Sequence, residues 1–213
     1  MARDLTNDAG DPDFALAAAV FLIDRLSLRV GSRDYAVQNG SYGALTLKCR
    51  HVRLAEDHVK LNFIGKGGKR VVKRIVDRKL MRILQKAHDL PGAELLSWHD
   101  ADGQRHAISS TSLNTYLAEA SGGAFTAKTF RTWAGTTAAF AAASAMPPVT
   151  VGTMAEAAAE RLHNTPAIAK SSYIHPAVLA LAGKPFDMPP ADPIAGLSRA
   201  ESALLSFLKS ATS

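Results

Sequence analysis

Apolar residues recur at helical spacing near the start of this chain and through its second half, with one stretch of two-residue spacing between. Residues 1–12 include Asn7, Asp8, Gly10, Asp11 and Pro12 and read as a polar tail or linker remnant. From Asp13 to about Leu26, the positions Phe14, Ala17, Val20, Phe21 and Asp24 predict a helix. Around Leu45 the period changes to two. Leu45, Leu47 and Cys49 alternate with polar residues, as do Val59, Leu61 and Phe63, which is the pattern of half-buried strands. Gly65-Lys66-Gly67-Gly68 reads as a glycine-rich turn and Arg70 to Val76 as the returning strand, so a three-stranded antiparallel sheet is the economical account. On that account Cys49 faces inward as an inert core thiol. The helical period returns at Asp77, with Leu80, Ile83, Leu84 and Ala87 preceding the stop at Pro91-Gly92.

The second half predicts helices over Thr111 to Ala120, Lys128 to Ala145 (ending at Pro147-Pro148) and Thr153 to His163. Another begins at Pro166 and carries Tyr173. Seven of the twelve residues from Ala134 to Ala145 are alanine, which favours helix and close helix approach. Pro185, Pro189, Pro190 and Pro193 mark a loop before a short terminal helix, Leu197 to Leu208. The expected fold is α+β, mainly α-helical, with the small sheet near its start and one domain over residues 13–213.

Charge narrows the class of partner. The 213 residues carry a net charge of +6, yet the 39 residues from Lys48 to Lys86 hold 13 basic and three acidic side chains and so carry +10 alone. Such asymmetry is the footprint of a polyanion-binding protein, or of a solvated basic face. A single cysteine excludes a disulfide framework and any multi-cysteine metal site. The longest apolar run, Phe14 to Ile23, is about half of the roughly 20 residues that span a bilayer, and no signal peptide precedes it. The chain reads as a soluble, cytoplasmic protein. None of the seven histidines falls into metal-ligand spacing, and no phosphate-loop or dinucleotide motif occurs, so no ATP, NAD or zinc is expected.

Four segments stand out: Leu28-Arg29-Val30-Gly31 continuing through Tyr35 to Asn39–Leu47; Phe63–Lys69; Phe125–Gly135; and Asn164–Ala167 running on to Lys170–Pro176. In order and spacing they resemble the catalytic domain of type IB DNA topoisomerases, in particular the bacterial and poxvirus-like branch, over roughly residues 13 to 182. The resemblance implies the catalytic fold shared with tyrosine recombinases. It also implies relaxation of supercoiled double-stranded DNA through a transient 3′-phosphotyrosyl bond, without ATP, metal or small-molecule cofactor, by a monomer. Carried over residue by residue, it places the two active-site arginines at Arg29 and Arg131, the hairpin lysine at Lys66 and the nucleophile at Tyr173. The position nine residues before Tyr173 is histidine in poxvirus and eukaryotic members and is Asn164 here, as bacterial members resemble; His163 is one residue out of register. Lys69, Arg70, Lys128, Lys170 and Tyr42 are supporting DNA contacts on this reading.

Taken singly, each of these residues has a plain structural role. Arg29 can meet helix-end carbonyls, Lys66 can be solvated, Arg131 can be stacked, Tyr173 can sit on a core helix face, and Asn164 can cap a helix. Their joint order favours the catalytic reading over two alternatives. A tyrosine recombinase is expected to carry a His-x-x-Arg motif, and none precedes Tyr173. A non-catalytic basic DNA-binding module is expected to bind without a covalent adduct. Only 28 residues precede Arg29, too few for the amino-terminal lobe that the resemblance implies. Weak, distributive relaxation is therefore the expectation.

Overall fold

The computed structural model describes residues 3–123, 125–145 and 148–211. It divides into two compact units, residues 1–128 and 129–213, where the sequence reads a single domain over 13–213.

The first unit is built on helix α1 (Pro12–Leu26). Asp11 caps it, its carboxylate accepting from the backbone N–H groups of Asp13 and Phe14, and Pro12 supplies a φ already suited to the first turn. Ala15, Ala17, Ala18, Ala19, Val20, Leu22 and Ile23 are buried, so the helix is apolar on most sides and packs against several neighbours. Helix α2 (Arg33–Asn39) buries no residue, which is why no hydrophobic period announces it. Strands β1 (Val52–Leu54), β2 (Val59–Ile64) and β3 (Arg70–Ile75) form an antiparallel sheet in that order. Its inner face is Val52, Val59, Leu61, Phe63, Val71 and Ile75. Helix α3 (Arg78–His88) starts at Asp77, whose carboxylate accepts from Lys79 and Leu80, and it buries Leu80, Ile83, Leu84 and Ala87. A hairpin of β4 (Ser97–His99) and β5 (Arg105–Ala107), each too short to show a period, precedes α4 (Ser110–Ser121).

Three sequence expectations fail here. Leu45, Leu47 and Cys49 are not on a strand. Residues 44–46 and 49–51 are 3₁₀ turns, and the first strand begins at Val52. Ala44 to Leu47 are all buried, and Leu45 and Leu47 are held by backbone hydrogen bonds from Leu45 to Val30 and from Leu95 to Leu47. Two buried leucines two residues apart therefore mimic a strand. Cys49 is accordingly only partly buried, its thiol directed at the carbonyls of Gly92 and Glu94 at 3.5 and 3.6 Å rather than into a core. Residues 3–12 are not a tail either. Asp4–Thr6 form a 3₁₀ turn, the Tyr116 hydroxyl donates to Asp4 at 2.5 Å, Lys86 donates to the Asn7 carbonyl, and His99 N–H donates to Gly10.

The second unit contains most of α5 (Ala127–Ala143) with α6 (Val151–Leu162), α7 (Pro166–Tyr173), the single turn α8 (Pro176–Leu179) and α9 (Arg199–Ala211). α5 stops at Ala143, and Pro147 of the expected stop lies outside the described residues. The core joins Ala139, Phe140, Ala143, Met154, Ala158, Ala169, Ile174, Val178 and Leu204. The alanines let backbones approach, and Phe140 fills the space, packing on Phe186 and Phe207 with ring centroids 5.2 and 5.3 Å away.

Candidate active site

In the first unit, Arg29 follows the end of α1, where Ser27 takes a left-handed conformation and buried Leu28 anchors the exit. The Arg29 carbonyl accepts from Ala44 N–H at 2.8 Å, and the Val30 carbonyl accepts from Leu45. Two glycines permit this crossing. A Cβ on Gly43 would lie 2.5 Å from the Arg29 carbonyl oxygen and 2.5 Å from Gly31 N, closer than side-chain carbons come to backbone. The Thr46 hydroxyl then accepts from Gly43 N–H, locking the turn. The same segment docks on the hairpin, because Tyr42 N–H donates to Ile64 O at 2.7 Å. Lys66 lies two residues further on, exposed in a turn where Gly67 and Gly68 have φ of 74° and 73°. Lys69 and Arg70 are exposed at the hairpin's return. Tyr42 is half-buried; its hydroxyl accepts from Arg50 at 3.0 Å, and its ring meets His51 edge-on at 4.4 Å.

His51 is a titratable group with a structural consequence. It is 8% exposed, and its Nδ1 accepts from Lys48 N–H at 3.1 Å. Burial, helped by the adjacent charges of Arg50 and Lys48, lowers its pKa to about 4. A base whose pKa falls on folding binds fewer protons folded than unfolded between pH 4 and the ordinary 6.5. Its stabilisation is therefore complete above pH 6.5 and is lost as pH falls toward 4. Denaturant melts at pH 7 and pH 4.5 should show wild type losing on the order of 2 kcal/mol more than His51→Asn, which keeps an acceptor but does not titrate. Equal losses in the two proteins would refute the assignment.

In the second unit Arg131 meets Tyr173, and Asn164 follows two residues after the carbonyl that Arg131 holds. Arg131, on the second turn of α5, is 4% exposed. Its guanidinium donates to the Leu162 carbonyl at 3.1 Å and stands 5.2 Å from the centre of the Tyr173 ring. Leu162 ends α6, His163 turns the chain with φ 52°, and Asn164 closes the turn by donating its N–H to Ala159 O. Asn164 thus sits one residue ahead of Thr165, which caps α7 and accepts from Ile168 N–H. Tyr173 is the last residue of α7 and is half-buried. Lys170 is exposed on α7, and Lys128 is exposed in the first turn of α5.

Two residues given no role in the sequence reading, Thr136 and Gly135, hold Tyr173 in place. The Thr136 hydroxyl donates to the Tyr173 carbonyl at 3.3 Å and accepts from His175 N–H at 3.1 Å, so it grips the chain on both sides of Ile174. At Gly135 a Cβ would come 2.7 Å from the Tyr173 carbonyl oxygen and 3.2 Å from its Cβ. A glycine four residues after Arg131, in a helix otherwise rich in alanine, is the sequence signal for this contact. Among the described residues, no cluster of three or more His, Cys, Asp or Glu side chains is placed to hold a metal, and no helix is long and apolar enough to cross a membrane.

A family model described as eukaryotic DNA topoisomerase I, catalytic core, matches residues 2–172. The chain belongs to this family. The matched span includes Arg29, Lys66, Arg131 and Asn164 and ends one residue before Tyr173. Among viral relatives, DNA topoisomerase 1B of Acanthamoeba polyphaga mimivirus is 30% identical over 137 residues, 62% of this chain and 41% of that protein. DNA topoisomerase I of monkeypox virus and DNA topoisomerase 1B of vaccinia virus (strain Copenhagen) are each 27% identical over 64 residues, 30% of this chain and 20% of theirs. The chain thus spans less than half the length of these curated relatives. The family accounts for the α+β fold with its small three-stranded sheet and marks the chain as a topoisomerase catalytic core.

Proposed function

We propose that this chain relaxes supercoiled double-stranded DNA as a type IB topoisomerase, cutting one strand through Tyr173 and resealing it. The observation that carries the reading is the buried Arg131 guanidinium lying over the Tyr173 ring. The Tyr173 phenol releases its proton to solvent as its oxygen attacks the scissile phosphorus, the bond to the 5′ oxygen breaks, and a 3′-phosphotyrosyl ester forms. Lys66 gives the departing 5′ oxygen its proton. Attack by the resulting 5′ hydroxyl reverses each step, so the broken bond's energy is kept and no ATP is consumed. A phenol ordinarily ionises near pH 10, so attack at neutral pH needs cationic neighbours, and Arg131 is one. Arg29 and Arg131 supply forked, permanently charged donors to the non-bridging oxygens, and Asn164 adds a neutral amide donor. Lys69, Arg70, Lys128, Lys170 and Tyr42 hold flanking DNA. The finer reading of the fold, a catalytic core shared with tyrosine recombinases, rests on the same residues.

Relaxation of negatively supercoiled plasmid in EDTA without ATP tests the activity, with SDS trapping any covalent adduct. Relaxation with a 3′-linked adduct is the expected result, and DNA binding with neither would leave a basic binding module.

The positioning of Tyr173 gives a separate prediction. Gly135→Ala forces α5 and the Tyr173 backbone apart, and the cleavage rate should fall about 10- to 100-fold, since displacements of this order misalign an in-line attack. Thr136→Val removes both hydrogen bonds at nearly constant volume and should act in the same direction. Single-turnover adduct formation alongside DNA affinity checks this. Parallel loss of affinity and rate would point to unfolding instead.

A further inference from the structure

The outward face of the small sheet carries three cations, Arg53, Lys60 and Arg74, that the candidate active site does not use. Arg53 on β1 stands directly opposite Lys60 on β2, and Lys60 opposite Arg74 on β3. Like charges facing each other across strands destabilise a sheet. Asp57 relieves one of them, pairing with Arg74 at 2.8 Å. Beside Arg53 and Lys60 a cleft of about 290 Å³ is lined by Arg50, His51, Arg53, Lys60, Asn62 and Arg70, with no carboxylate among them. Several of its donors are already oriented. Tyr42 holds Arg50 through its hydroxyl, and the Asn62 carbonyl accepts from Arg70 Nε at 2.9 Å. His51 Nδ1 accepts from Lys48 N–H, so the neutral ring carries its proton on Nε2 and is a donor too.

We infer that this cleft is a second phosphate site, which takes a backbone phosphate of bound DNA away from the reacting phosphate. Four cations and a neutral imidazole N–H supply charge and fixed hydrogen-bond donors of the kind phosphate oxygens accept. The donors come from the turn at residues 49–51 and from all three strands, and a bound phosphate would relieve the Arg53–Lys60 repulsion. Contacts to phosphate carry no sequence information, so the site anchors the duplex without choosing the cut. The occupant rests on the DNA reading proposed above.

Arg53→Gln/Lys60→Gln tests the site, because both side chains are exposed and a thermal melt can confirm that the fold is kept. Affinity for a fluorescently labelled duplex is measured by anisotropy across a range of KCl concentrations. The double variant should bind about 10-fold more weakly, and its plot of log affinity against log salt should be shallower by about 1, each lost phosphate contact removing ~0.9. Adduct formation at saturating DNA should stay at the wild-type rate, and Lys60→Arg should restore the slope. Lys184→Gln/Lys209→Gln, an equal loss of charge in the other unit, should leave the slope unchanged. Wild-type DNA binding with an unaltered slope in Arg53→Gln/Lys60→Gln, or an equal change in the Lys184/Lys209 pair, overturns the site alone. A wild-type chain that binds no duplex overturns the DNA reading and the proposed occupant with it.

Discussion

Tyr173→Phe is expected to bind duplex DNA with wild-type affinity and to form no SDS-resistant adduct. The phenyl ring keeps the face on which the Arg131 guanidinium rests, so the local packing survives. The ring has no oxygen to attack phosphorus, so the loss of cleavage should be on the order of 10⁴-fold or more. Supercoiled plasmid should accordingly remain supercoiled through a time course that relaxes it with wild type. An adduct formed by Tyr173→Phe would move the nucleophile elsewhere. Failure of both proteins to bind DNA would remove the topoisomerase reading altogether.

Arg131→Lys is the second large effect. Lysine keeps a positive charge but offers a point donor where arginine offers a planar fork. At a transition state that gathers negative charge on two non-bridging oxygens, losing one fixed donor costs about 10²- to 10³-fold in rate. The same change removes the guanidinium that donates to the Leu162 carbonyl, and a buried acceptor left without its donor costs about 1–3 kcal/mol of stability. The two effects separate experimentally. Single-turnover cleavage well below the melting temperature should show the rate loss, while DNA affinity changes little. A variant that melts earlier yet cleaves at the wild-type rate would make Arg131 a structural arginine that merely stacks on Tyr173.

Much of the fold was legible because short-range rules dictate it. The helix starts at Asp77 and Pro166 follow from such rules, whereas Asp11 and Pro12, read as part of a polar tail, in fact cap and open α1. The alternation at Val59, Leu61 and Phe63 matches the buried face of β2 residue for residue. The same rule misled at Leu45 and Leu47, because a period of two reports burial and not conformation, and a turn buried on every side satisfies it equally. Helix α2 escaped because it buries nothing, and β4 and β5 because three residues are too few to show a pattern.

The sequence by itself determined which chemical groups are present and their order: the arginines, the hairpin lysine, the asparagine nine residues before a tyrosine, and the basic stretch from Lys48 to Lys86. These are properties of residue type and spacing, and a folded structure is not needed to read them. Tertiary structure alone decided that Arg131 lies over the Tyr173 ring, that Thr136 grips the backbone on both sides of Ile174, and that Arg50, Arg53, Lys60 and Arg70 border one cleft. Arg131 and Tyr173 are 42 residues apart, and Arg50 and Arg70 are 20 apart. Contacts over such separations depend on how α5 packs against α6 and α7, and on how three strands register, and no local period encodes either.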